Sequence, residues 1–192
     1  MGQGKKPEGG EKKKLKGSAF QKEFLLFLVL FFIIWLLSYF LSRRLPALVD
    51  WSQVSVAREV AFCLKKLSYT YVLKESSLTF YTAHGGERLD IIPECTGLYT
   101  SIIYFSIIGA YPARAGEKLL GVLVGIPAIH ALNLARMVFI SLVLFHRPDL
   151  FELFHGYLWQ VGFVIFMLLL VIVWMWKVVR PRSAAKIDER RT

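Results

Sequence analysis

The sequence predicts a mainly α-helical integral membrane protein with about four transmembrane helices and a small extracytoplasmic cap, built from an amphipathic helix and a β-hairpin. Three observations predict it. Of the 192 residues, 55% are hydrophobic and the mean hydropathy is +0.49, more apolar surface than a soluble domain of this size needs for a core. Apolar runs of spanning length recur along the chain. The formal charge of +10 is concentrated at the two ends.

Two stretches, Phe24 to Leu41 and Tyr157 to Trp176, carry no formal charge. Each is long enough to cross roughly 30 Å of hydrocarbon at about 1.5 Å per residue. Thr96 to Tyr111 is shorter but also uncharged, and Leu119 to Phe145 is broken only by His130, Asn133 and Arg136. Lysines ahead of the first run imitate a secretory signal. The run nevertheless exceeds an apolar signal region of about 7 to 15 residues, and Leu41-Ser42-Arg43-Arg44 is a poor cleavage site. It reads as an anchor that stays.

Charge supplies the topology. Residues 1 to 23 hold seven lysines against three glutamates, and 177 to 192 hold six basic residues against two acids. Both ends are therefore expected on the cytoplasmic side. Segment 42 to 94 is nearly neutral, with seven basic and six acidic residues, and fits outside. Arg114 and Lys118 then fall inside. The Gly-rich, aromatic-poor basic tail lacks a stacking platform or recognition fold, so the charge points to anionic lipid rather than nucleic acid.

The chain accordingly divides into a disordered basic cytoplasmic tail (1–23), a transmembrane anchor (24–41), an extracytoplasmic cap (42–94), a transmembrane core holding the candidate chemistry (95–179) and a second basic cytoplasmic tail (180–192). Within the cap, Val56, Val60, Cys63, Leu64 and Leu67 recur at helical spacing and predict an interfacial amphipathic helix. Ser68 to Leu73 and Leu78 to Thr82 read as a hairpin across Lys74-Glu75-Ser76-Ser77. His84-Gly85-Gly86 reads as a turn, with Arg88 to Ile92 as a third short strand leading to Cys95.

Pro93-Glu94-Cys95-Thr96-Gly97 stands where cap becomes span, with Pro93 placed to begin a helix. A thiol at a helix N-terminus is expected to have a lowered pKa, opposed by the neighbouring charge of Glu94. His130, Asn133 and Arg136 recur every three positions along one side of the third span. An arginine inside a span costs on the order of 2.5–3.5 kcal/mol and therefore faces protein or water. If the span ends near His146, Arg136 lies roughly 15 Å below that end and must snorkel to reach the level of Cys95. His155 precedes the last span on the same side as Cys95, and a histidine beside a thiol can carry the proton in both directions.

With these residues the chain resembles the exosortase/archaeosortase family of membrane-embedded cysteine transpeptidases. Cys95-Thr96-Gly97 is similar to its Cys-[Ser/Thr/Ala]-Gly signature, Asn133 to Arg136 to its Asn-x-x-Arg element, and Phe154-His155 to its late histidine. The resemblance covers roughly residues 90 to 176. It implies that Cys95 attacks the scissile carbonyl of a C-terminal sorting tail on a membrane-anchored secreted protein, forming an acyl-enzyme. Arg136 would stabilise the oxyanion or thiolate, and His155 would move the proton. Glu94, Thr96, Gly97 and Asn133 would support them. The acceptor would be water, a lipid or a glycan, and no cofactor or metal is implied. Many family members have about eight spans, against four here.

Plainer readings stand beside these. Cys95 could be a packing residue or pair with Cys63. Asn133 and Arg136 could be an interhelical hydrogen-bonding pair. His146 is a loop residue held in reserve as the base, and Glu94 either orients His155 or simply starts a helix. Trp159 and Tyr104 read as lipid or packing contacts. The competing function is a non-catalytic transporter or assembly subunit in which Arg136 and His130 line a polar path.

Overall fold

The computed structural model describes residues 8–82 and 85–179. The C-terminal tail 180–192 and His84, with its share of the expected turn, lie outside the described residues. Helix α1, Glu8–Arg44, begins inside the stretch expected to be disordered. Its Glu, Lys, Leu and Ala residues are good helix formers, and the apolar run supplies the helix on which they propagate. Proline at the first helical position starts α2, Pro46–Lys66. Its buried stripe is Val56, Ala57, Val60, Ala61 and Leu64, one step round from the expected one. Cys63 is left at its edge, and Leu67 is exposed.

A three-stranded antiparallel sheet follows, ordered β1-β2-β3, with β1 Val72–Lys74, β2 Ser77–Thr82 and β3 Gly85–Asp90. Val72 pairs with Thr79 and Lys74 with Ser77, so the first turn is Glu75-Ser76, with Glu75 at φ 54°. Ser68 to Tyr71 is not strand, because the chain turns sharply at Ser68 (φ 63°). The third strand starts three residues earlier than expected. Gly85 and Gly86 pair with Thr82 and Tyr81 rather than forming the turn.

Among the described residues three helical segments are long and apolar enough to cross a membrane: Gln21–Arg44, Ala115–His146 and Pro148–Val179. The fourth expected span is α3, Leu98–Ala110, of 13 residues. At about 20 Å it falls short of a roughly 30 Å core. Gly97 in a left-handed conformation breaks it from the preceding turn, and Pro112 follows its end. Helix α4, Ala115–His146, has 32 residues, about 48 Å. Helix α5, Trp159–Trp174, is flanked by π-helical turns at Leu153–Leu158 and Met175–Val179.

Two apolar cores organise these elements. At one end Met137, Ile140 and Leu144 of α4 pack with Val60 and Leu64 of α2, Leu78 and Phe80 of β2, Leu89 of β3, and Cys95. At the other, Tyr104, Ile108, Ile129, Phe163 and Trp174 form the core between α3, α4 and α5. The Tyr104 hydroxyl donates to Gly121 O at 3.0 Å, and the Trp174 indole N–H donates to Glu117 O at 2.8 Å. Gly121 and Gly125, one turn apart on α4, have no side chain where these two rings press against the helix. Helix α1 lies antiparallel along α3, with Tyr39 against Tyr99 and Ile34 against Gly109.

Candidate active site

The chain entering the site is fixed from both sides. Ile91 gives its N–H to Ser76 O at 2.9 Å, and its carbonyl accepts from Gln53 Nε2 of α2 at 2.7 Å. Pro93–Thr96 then forms a 3₁₀ turn. The Thr96 hydroxyl donates to Pro93 O at 2.7 Å and accepts from Leu98 N at 3.2 Å, so one side chain closes the turn and opens α3. Asn133, wholly buried, donates from Nδ2 to Cys95 O at 2.8 Å. Gly97 has φ 75°, and a Cβ there would lie 3.3 Å from Asn133 Cγ. Thr96, Gly97 and Asn133 thus hold the backbone of the Cys95 turn.

Cys95, Arg136 and His155 line one cavity of about 400 Å³, together with Glu94, Trp159 and Phe163. It follows the seam between α3 and α5 through Thr100, Ile103, Val164 and Met167. The guanidinium of Arg136 lies over the Phe163 ring at 5.9 Å, which fixes its head in the cavity wall. His155 stacks on Phe151, with centroids 5.1 Å apart and planes 8° from parallel. It sits in the π-helical turn, a geometry that recurs at functional sites.

Cys95 is 2% exposed, and burial pushes its thiol above the ordinary range. The Arg136 charge and a backbone hydrogen bond at Ile92 pull it down, and Glu94 pushes it up. This reverses the expected lowering. The thiol lies in a short turn separated from α3 by left-handed Gly97, so desolvation outweighs the helix end. The acidic side chain that interacts with His155 is Glu152, not Glu94.

The structure separates His130 and His146 from this cavity. At 100° per residue, steps of three rotate successive side chains by about 60°, so positions 130, 133 and 136 fan across both sides of the Cys95 turn. His130 Nε2 meets Glu59 Oε2 of α2 at 2.7 Å, in a separate cavity of about 490 Å³ backed by Thr96 and Gly97. Among the described residues His130 and Arg136 thus line different cavities. His146 Nε2 meets the Tyr69 hydroxyl at 2.8 Å, in the aromatic cluster with Phe145, and does not line the Cys95 cavity. Both cysteines are free thiols in this structure, which therefore has no Cys63–Cys95 bond. Among the described residues no three His, Cys, Asp or Glu side chains are grouped to hold a metal.

Sequence reasoning missed Gln53, Glu152, Phe163 and the placement of Trp159. Gln53 is 38 residues from its partner, and nothing local marks it. The π-helical turn, which brings His155 to the cavity wall while Trp159 packs edge-on against Phe139, has no composition signal.

A long-helix membrane scaffold with a thiol, a guanidinium and an imidazole around one cavity defines a membrane protein with an enzyme-like site. The sequence model described as transmembrane exosortase matches residues 15–175, and the chain belongs to that family. It is also 37% identical over 108 residues to archaeosortase A of Haloferax volcanii, covering 53% of this chain and 36% of that protein. The chain thus matches little more than a third of that relative's length. No solved structure matches.

Proposed function

We propose that the chain is a membrane-embedded cysteine peptidase or transpeptidase that cleaves C-terminal sorting tails of secreted proteins. The observation that carries this reading is the single cavity shared by Cys95, Arg136 and His155. Membership of the transmembrane exosortase family and similarity to a protein named archaeosortase A support it. In this reading the chain crosses the plasma or inner membrane four times, which puts both tails on one side; their basic charge assigns that side to the cytoplasm and leaves the cap outside. Helix α3 is the short fourth span, ending beneath the cap instead of in water.

In this mechanism His155 takes the Cys95 proton as sulfur attacks the scissile carbonyl. The carbonyl π pair moves onto oxygen, and the anion is held by Arg136. Collapse restores the carbonyl and breaks the C–N bond, and the departing amine takes the proton from His155. The thioester then passes its acyl group to water, a lipid or a glycan nucleophile, which loses a proton in turn. A substrate tethered by its own membrane helix is already confined at the right depth.

The test is co-expression with a secreted protein ending in a short motif, an apolar helix and a basic tail. Cys95→Ala and Cys95→Ser should abolish tail removal while both proteins still insert. Unchanged processing in Cys95→Ala refutes the proposal.

A further inference from the structure

We propose that Trp159 is a further catalytic residue of this site, its indole N–H donating a hydrogen bond to the oxygen of the carbonyl that Cys95 attacks. The inference rests on the cysteine-peptidase reading above and adds to it a second, uncharged donor.

The buried polar side-chain atoms without a hydrogen-bond partner among the described residues are Asn133 Oδ1, Arg136 Nε, His155 Nδ1 and Trp159 Nε1. Their placement is not scattered. Arg136, His155 and Trp159 line the Cys95 cavity, and Asn133 is bonded through its amide to the Cys95 backbone. Leaving a buried donor unpaired costs about 1–3 kcal/mol, and buried indole N–H groups usually find an acceptor. Trp174 in the same fold does so, donating to Glu117 O at 2.8 Å.

An imidazole nitrogen can be donor or acceptor, but an indole N–H only donates. Trp159 therefore calls for an acceptor atom, and none of the cavity's own groups supplies one. The ring is held at 5.7 Å and 65° to Phe139 and packs against the core that contains Cys95. The ring that carries the donor is thus held before any ligand arrives, and the proposal requires the N–H to meet the acyl oxygen when the substrate seats, as electrostatic stabilisation of a developing charge demands. The ligand chemistry that satisfies it beside a thiol and a guanidinium is an acyl oxygen. When the Cys95 sulfur adds to carbon, the C=O π pair becomes a lone pair on that oxygen. Arg136 supplies charge to it, and Trp159 supplies a neutral hydrogen bond. Collapse returns the pair to the carbonyl and expels the leaving group.

Two small reagents separate this role from packing, in the Cys63→Ser background so that Cys95 is the only thiol, with the rate left in Cys95→Ala subtracted as reaction elsewhere. p-Nitrophenyl acetate acylates the thiol through a tetrahedral oxyanion, releasing p-nitrophenolate. Iodoacetamide alkylates it by displacement with no oxyanion. Trp159→Phe, and replacement of Trp159 by benzothienylalanine, which keeps the bicyclic shape without the N–H, should each slow acylation tenfold or more. Alkylation should stay within about twofold. Equal loss in both reactions marks a packing role and overturns the assignment, as does acylation at the parent rate. Processing by Cys95→Ala, run alongside, keeps the two levels distinct. Retained processing there removes the peptidase reading, whereas an inactive Cys95→Ala with full-rate acylation by Trp159→Phe removes only Trp159.

Discussion

Replacing Gly97 by alanine tests how the reactive turn is held. The residue sits at φ 75°, and a new Cβ would fall 3.3 Å from Asn133 Cγ and 3.4 Å from its Cβ. Left-handed backbone costs an L-residue about 1–2 kcal/mol. The contact adds more, because the amide that must yield is the one donating to Cys95 O at 2.8 Å. Weakening that bond costs on the order of 1 kcal/mol, for a total of about 2–3 kcal/mol. Asn133→Ala alone should cost a similar amount, since it leaves the Cys95 carbonyl without its partner. The two effects are not independent. With Asn133 truncated, the Gly97→Ala change keeps only its backbone strain, so the double variant should be more stable than the sum of the singles by about 1 kcal/mol. The assay is unfolding in detergent micelles, followed by proteolysis, with iodoacetamide labelling of Cys95 as a local probe. Wild-type stability in Gly97→Ala, or strict additivity in the cycle, would refute the coupling of Gly97, Asn133 and Cys95.

Further outcomes follow from the same geometry. Because burial raises the Cys95 thiol and Arg136 lowers it, its alkylation should have a pH midpoint above the ordinary thiol value of about 8.5. Arg136→Gln should move that midpoint higher still and slow labelling at pH 8, whereas an unchanged or lower midpoint breaks the electrostatic link. Gly125→Ala puts a methyl group into the Tyr104 ring and should cost about 2–3 kcal/mol through overpacking and loss of the Tyr104–Gly121 hydrogen bond. Detergent unfolding at the wild-type midpoint would contradict that packing. Cys63→Ser should leave processing unchanged, and the unreduced, denatured parent should titrate two thiols. A mass two protons lower would mean a disulfide.

Apolar runs located the long helices because their signal is local and summed over twenty residues. The sheet was half legible. Its alternating runs were visible, but the first strand was cut short by the turn at Ser68, where nothing in the local composition predicts a positive φ for serine. Cys95, Arg136 and His155 were legible as residue types in order. Their convergence was not, because it depends on the π-helical turn around His155 and on the packing of α5 against α4. The direction of the thiol shift was read wrongly for a related reason: sequence places Cys95 near a helix start but does not show how deeply it is buried.

The depth of Arg136 shows what the missing information was. Taking His146 as the membrane boundary buries the arginine roughly 15 Å inside. The last turns of α4 are instead wrapped by α2 and the sheet, with Met137, Ile140 and Leu144 in that core, so on the proposed topology the helix would leave the bilayer before it ends. Lys118, whose ammonium donates to Gly109 O at 2.6 Å, and Arg136 are 18 residues apart, about 27 Å along the axis. That spacing is close to the thickness of a hydrocarbon core. On the proposed topology the two cations would bracket the membrane segment of α4, with Arg136 at its cap-side edge. Asn133, one turn below, is bonded to Cys95, so on that topology the thiol would share the edge and no snorkelling would be needed. The short α3 fits the same frame: it runs from the level of Lys118 only to the level of Asn133, and on that topology it would stop where the cap takes over from lipid.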